Sequence, residues 1–301
     1  MEEYSGEKSR YPKFSVLMSL YIKEKSQYAR ACFESLLQQT IPASEWIIVE
    51  DGPLTEELYV LLDEYQSKYP NLITRVELKE NQGLGRALRE GILHCTNELI
   101  ARMDTDDISR NDRFEKQLAM FVENPNLDVC GSHIKEFIES PNKITALRKV
   151  PLTDEAIKKY QKRRDGLNHV TVMYKKSAVL KAGNYQHALL MEDTLLWVNM
   201  ILAGSQFANI DDYLVYVRTG SDMYKRRGGM SYYKKYKSGR KEVYKTGYIS
   251  WWDYKLTLIV QFVVSILPNF VRKFIFEKLL RKNFDTTINE GLPSIEVDKV
   301  G

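Results

Sequence analysis

Two hydrophobic rhythms alternate along the amino-terminal part of the chain. Short unbroken apolar runs are followed by segments whose apolar residues recur every three or four positions. Phe14–Leu20 (FSVLMSL) and Trp46–Val49 (WIIV) are such runs, and they predict strands buried on both faces. Between them, Ala29, Cys32, Phe33, Leu36 and Leu37 form one face of a helix starting at Ser26 and closed by Pro42. Leu58, Leu61, Leu62 and Tyr65 mark a second helix, and residues 71–78 a third strand. Asn81-Gln-Gly-Leu-Gly85 is a turn, residues 86–95 a helix, and Leu99-Ile100-Ala101 a fourth short strand. Strand and helix alternating at this spacing predict an α/β fold, a doubly wound, Rossmann-like, mostly parallel central sheet flanked by helices.

The later chain repeats the pattern less regularly. A helix near residues 111–122 buries Phe114, Leu118 and Phe121, and a long strand covers residues 127–138. Residues 139–167 are polar and mixed, with a helix over 154–164. His169–Tyr174 (HVTVMY) predicts a strand, followed by a short helix and the turn Gly183-Asn184-Tyr185. Glu192 and Asp193 open a helix burying Leu195, Leu196, Val198 and Met200, where acids suit the positive helix end. Residues 207–217 supply one or two strands. Beyond them the chain turns basic and aromatic, with Trp251-Trp252, an apolar run from Leu256 to Leu267, and Pro268. That run is too short for the roughly 20 residues a bilayer-spanning helix needs. Followed by a basic amphipathic stretch, residues 251–282 fit helices lying in a membrane interface; helices packed on the body of the protein are the alternative.

Chemistry gathers at the strand ends. Glu98–Asp107 (ELIARMDTDD) closes an apolar strand with Asp104, Asp106 and Asp107. Crowded carboxylates repel one another unless a cation neutralises them, and hard oxygen ligands suit Mn2+ or Mg2+ beside substrate phosphates. The plainer reading is a polar loop capping the helix near Asn111. Ligands in such sheets bind at strand carboxyl ends, so Glu50-Asp51, the Asn81 loop and the Asp104–Asp107 turn converge on one site.

Charge and cysteines narrow the picture. The net charge is +4. Residues 222–282 hold 15 Lys/Arg against 4 Asp/Glu, a local +11 that leaves −7 for the rest. A basic carboxyl-terminal section implies an anionic partner, and membrane phosphate or pyrophosphate fits; no nucleic-acid reader motif accompanies it. Cys32, Cys95 and Cys130 match no zinc or disulfide spacing, which suits a reducing cytosol, and the charged start MEEYSGEKSR is not a signal peptide. Gly83 and Gly85 do not complete a dinucleotide fingerprint, because position 88 is Leu. An NAD-dependent oxidoreductase is disfavoured on that ground and by the acid cluster.

Taken in order, FSVLMSLY, WIIVEDGP, NQGLGRALREGI, ARMDTDDIS, KKSAVLKAGNYQ and MEDTLLWVNM resemble the family 2 glycosyltransferases, inverting enzymes of the GT-A fold. More narrowly they are similar to bacterial exopolysaccharide and capsule enzymes of the amylovoran type. The resemblance implies a hexose, galactose being common, moved from a nucleotide-diphosphate sugar, a UDP-sugar, to a lipid-linked saccharide acceptor. It implies a divalent cation, Mn2+ or Mg2+, and a cytoplasmic protein peripherally attached to the inner face of the plasma membrane. The donor would meet Ser19, Tyr21, Asp51, Asn81, Gly83, Asp104 and Asp106, the cation Asp106 or Asp107, and Asp193 would be the catalytic base. Glu192, His169, Arg226 and Arg227 are candidates for acceptor or pyrophosphate contacts. A core histidine and a basic surface loop are the alternatives for His169 and for the arginine pair. A non-catalytic subunit of a polysaccharide assembly complex is the competing reading of the whole chain.

The expected layout is a flexible leader (1–12), a catalytic domain (13–221) split into nucleotide-sugar (13–109) and acceptor (110–221) halves, and a basic lid or linker (222–250). Membrane-associating helices (251–282) and a disordered tail (283–301) complete it.

Overall fold

The computed structural model describes residues 11–220, 228–268 and 271. The central strand is β1 (Phe14–Leu20), flanked by β2 (Glu45–Glu50) and β4 (Leu99–Arg102), with β3 (Ile73–Glu77) outside β2. These four run parallel. The two faces of β1 explain its unbroken apolar run, because successive side chains point to opposite sides. Phe14, Val16, Met18 and Leu20 pack with Ala29, Cys32 and Phe33 of α1 (Ser26–Leu37) and Leu58 and Leu62 of α2 (Glu56–Lys68). Leu17 turns the other way, joining Ile47 and Val49 against Ala87, Leu88 and Ile92 of α3 (Leu84–His94).

After β4 the sheet changes direction. β8 (Met173–Lys175) pairs antiparallel with β4 and with β6 (Val129–Phe137). β6 runs parallel to the long β9 (Phe207–Arg218), whose far end pairs antiparallel with the two-residue β5 (Ile108–Ser109). β7 (Ile144–Arg148) pairs with β6 as a side branch. The parallel expectation therefore describes the first four strands, and the second half of the sheet is mixed. Helices α4 (Arg113–Glu123), α5 (Asp154–Gln161), α6 (Lys176–Lys181) and α7 (Glu192–Leu202) cover it.

Several local expectations are corrected. His169–Thr171 is a 3-10 turn, and the strand begins only at Met173. The β-branched run favours a strand, but polar side chains bend it: Thr171 Oγ1 donates to Asn168 O at 2.8 Å, and Asn168 Nδ2 donates to Ser132 O at 2.8 Å. Tyr11, placed in the leader, packs against the main core. Residues 229–245, within the stretch read as lid or linker, form the helix α8 (Gly229–Lys245). Helix α9 (Trp251–Ile266) follows, started by a reciprocal cap between Ser250 and Asp253. Arg226, Arg227, most of the leader, the 272–282 stretch and the tail lie outside the described residues.

Candidate active site

The parallel register brings the carboxyl ends of β1, β2 and β3 level: Leu20 pairs with Glu50, and Glu50 with Glu77. Ser19 ends up half-buried and Tyr21 exposed on this edge. Asp51, buried, is held in the sheet by its N–H to Leu20 O at 2.7 Å. Its carboxylate accepts from Gln82 N at 2.7 Å and Gly83 N at 3.0 Å, while Asn81 Nδ2 donates to Asp51 O at 3.1 Å. The turns after β2 and β3 are thereby tied together. Gly52 permits the approach: its φ is +83°, and a β-carbon there would lie 2.5 Å from Asn81 N.

The acid loop leaves β4 beside this pair. Arg102, the last residue of β4, is buried and grips Asp104 with both terminal nitrogens, Nη1 to Oδ2 at 2.7 Å and Nη2 to Oδ1. Beneath it, Arg113 Nη2 donates to Arg102 O at 2.8 Å. Asp104, Asp106 and Asp107 each bring a carboxylate oxygen within 4.8 Å of the others. Burial, then Asp104 and Glu24, pushes Asp106 up to about 7. Burial, then Asp106 and Asp104, raises Asp107 well above the usual carboxylate range. Three close, partly desolvated acids, with Asp106 and Asp107 raised by burial and then by their acidic neighbours, are a donor set that fits a hard divalent cation. The plainer capping role does not apply, since α4 begins at Arg113, beyond β5, and it is Gln39 Oε1 that accepts from Phe114 N of its first turn, at 3.3 Å.

Three residues missed in the sequence complete this corner. Arg218 N donates to Asp107 Oδ1 at 2.7 Å and Arg218 Nε to Asp106 O at 3.1 Å, with its guanidinium 3.9 Å from the Tyr28 ring centroid. Glu24 accepts from Thr105 Oγ1 at 3.0 Å, and burial raises its pKa. Arg102 had a readable signal: a charge two residues before Asp104 in an otherwise apolar strand requires a partner on its own face.

Asp193 lies half-buried in the first turn of α7 and accepts from Thr194 N at 2.8 Å. Burial, then the neighbouring Asp165, pushes it up to about 7, against the opposing charge of Arg102. Asp165 in turn accepts from Thr194 Oγ1 at 2.6 Å. Tyr185 lies within electrostatic reach of both Asp193 and Asp104, so the acid loop and Asp193 share one neighbourhood. His169 Nε2 hydrogen-bonds the Tyr185 hydroxyl at 2.6 Å, and its ring packs edge-on against Trp197. Burial and Arg102 hold it well below the ordinary histidine value, so it is neutral. Glu192 packs against Gly85 at the start of α3.

Residues 15–189 match the family model described as Glycosyl transferase family 2. The chain belongs to this family. Over 270 residues this family 2 glycosyltransferase is 42% identical to an uncharacterized glycosyltransferase of Haemophilus influenzae, covering 90% of this chain and 100% of that one. It is 38% identical over 272 residues to an amylovoran biosynthesis glycosyltransferase of Erwinia amylovora, covering 88% and 98%. It is 35% identical over 271 residues to the UDP-Gal:alpha-D-GlcNAc-diphosphoundecaprenol beta-1,3-galactosyltransferase of Escherichia coli, covering 90% and 98%. Among solved structures it resembles a mannosyltransferase of Pyrobaculum calidifontis in complex with GDP-Man and Mn2+, with TM-score 0.60 at 12% identity, covering 84% of this chain and 70% of that one. It also resembles S. aureus TarS in complex with UDP-GlcNAc, with TM-score 0.56 at 20% identity, covering 76% and 66%. The fold is GT-A, and the activity class is glycosyl transfer.

Proposed function

We propose that the protein is an inverting hexosyltransferase. It moves a sugar, galactose first among the candidates, from a UDP-sugar to a lipid-linked saccharide in bacterial cell-surface polysaccharide biosynthesis, at the inner face of the plasma membrane. The observation that carries this reading is the reach of one guanidinium. Arg102 clamps Asp104 of the acid cluster, and its charge is felt by Asp193, a carboxylate pushed up to about 7. A donor-phosphate site and a base poised near neutrality thus adjoin.

The roles follow from the chemistry. Asp51 uses its remaining acceptor capacity for the N–H of the uracil base, and Ser19, Tyr21, Asn81 and Gly83 line the nucleoside side. Asp104 and Asp106 contact the ribose and sugar. Asp106 and Asp107 would hold Mn2+ or Mg2+, which when bound neutralises charge on the departing diphosphate. Asp193 takes the proton of the acceptor hydroxyl as its oxygen attacks the anomeric carbon. The bond to the diphosphate oxygen breaks in the same displacement, and UDP leaves with the bonding pair. No covalent glycosyl-enzyme is formed, so configuration inverts. His169, neutral and bonded to Tyr185, serves the wall of this pocket rather than a phosphate. The name of the 35%-identical Escherichia coli relative supports a UDP-Gal donor and a diphosphate-lipid acceptor.

The test is transfer from α-linked UDP-galactose, with Mn2+, to a synthetic GlcNAc-diphosphate-lipid, with the new linkage read by NMR. A β-linked product is expected. An α-linked product would overturn inversion, and no transfer from any UDP-sugar by folded protein would favour a non-catalytic role.

A further inference from the structure

Helix α9 is folded inside out. The residues it turns toward the protein include Asp253, Thr257 and Ser265, all buried. Asp253 accepts from Arg163 Nε at 2.6 Å, and Thr257 accepts from Arg240 Nε at 3.1 Å. Its outward stripe is apolar: Trp252, Leu256, Ile259, Val263 and Ile266 follow at alternating steps of four and three residues. Trp252 is 74% exposed, Ile259 61% and Ile266 58%. A helix facing water carries the opposite arrangement, so the stripe is built for a non-aqueous neighbour.

The border of the stripe is cationic. A groove of about 420 Å³ between α8 and α9 is lined by Tyr233, Lys237, Tyr254, Lys255, Ile259 and Phe262, among others. Lys237 and Lys255 therefore stand directly beside the apolar stripe, and both are exposed. Helix α8 also exposes Lys234, Lys235 and Lys241, while its one acid, Glu242, pairs with Lys245 at 2.9 Å. No helix among the described residues is long and apolar enough to cross a membrane.

We propose that α8 and α9 form a platform that docks on an anionic lipid bilayer. The stripe sinks to the boundary between headgroups and acyl chains, and Lys237 and Lys255 meet lipid phosphates. This deepens the lipid-linked reading above by naming the surface on which such an acceptor is met. The platform is also seated on the element carrying Asp193. Val243 and Ile249 share a cluster with Ala188, Met191 and Leu195, and a β-carbon on Gly239 of α8 would overlap the Leu189 carbonyl oxygen. Docking therefore sets the height of Asp193 above the lipid.

Vesicle flotation of the full chain tests this with no donor or acceptor present, so its result stands apart from that of the transfer assay. Wild type should float with vesicles of phosphatidylcholine and phosphatidylglycerol at low salt, and poorly with phosphatidylcholine alone. Two double variants, Trp252→Glu with Ile259→Glu and Lys237→Glu with Lys255→Glu, should each weaken binding about tenfold or more. Unchanged thermal unfolding would show both to be folded. Wild type that stays unbound, or variants that float like wild type, would overturn the proposal. So would a wild-type dimer that the stripe variant makes monomeric without any vesicle binding, since the face would then belong to a second copy.

Discussion

Gly85 and Glu192 meet where the start of α3 packs against the start of α7. A β-carbon on Gly85 would fall 2.6 Å from Glu192 Cγ and 2.9 Å from its Cβ. Gly85 follows the loop tied to Asp51, and Glu192 immediately precedes Asp193. Gly85→Ala should therefore push the first turn of α7 outward. We expect kcat to fall about 100-fold, the scale of a 1 Å misplacement. The stability cost of overpacking should be about 1–3 kcal/mol. Calorimetric donor affinity should stay near wild type. Gly83→Ala is the contrast, since its surroundings are open and only its φ of +87° resists the change.

As the proposed base, Asp193 would act in its ionised form, and its pKa is pushed up to about 7. The logarithm of kcat/KM should rise with pH below about 7 with a slope near one, then level off. Asp193→Asn keeps the side chain's volume but cannot accept the proton. Its kcat should fall by about 100-fold to 10,000-fold, with UDP binding retained. A variant with near-normal turnover would remove Asp193 from the mechanism.

Asp165 should set where that pH limb lies. Its charge is the second cause, after burial, of the raised Asp193 value, and it holds Thr194 Oγ1 at 2.6 Å. Asp165→Asn preserves an acceptor for Thr194 while removing the charge. The acid limb should then move to lower pH, with the plateau rate little altered. A limb that stays in place would mean that burial alone tunes Asp193.

The legible parts of the site are those carried by local signals. β1 and β2 are apolar runs because helices cover both faces, and Asp51 and Asp104–Asp107 follow directly as polar strand ends. Arg218 and Asp165 reach the site by long-range routes that no local pattern records. Arg218 arrives because β9 pairs with β5, and Asp165 because the polar stretch after α5 folds back onto α7 through Thr194. His169 misled through propensity: a β-branched run resembles a strand until Asn168 and Thr171 bond the neighbouring backbone. β7 was hidden in a polar segment, being a short side branch that pairs with β6 off the main path of the sheet. The inverted burial of α9 could not be read from composition, which records its apolar residues but not which side they face.

Cation binding should be coupled to pH with a definite sign. Asp106 is pushed up to about 7 and Asp107 well above its ordinary value, so between the unfolded and folded pKa values the folded state holds more protons than the unfolded one. Stability of the metal-free protein should then be greatest at the acid end of this window and decline as pH rises through about 7. A divalent cation replaces those protons, so its stabilising effect should grow with pH. Thermal unfolding with EDTA, and with Mn2+ plus UDP, should be compared from about pH 5 to about pH 8. Near pH 8, ligand at 100 times its Kd should add about 2.7 kcal/mol, and near pH 5 much less. The gain should vanish in an Asp106→Asn, Asp107→Asn double variant, whose metal-free form should also lose part of the pH-dependent decline. A gain that ignores pH, or that survives in the double variant, would move the cation away from this loop.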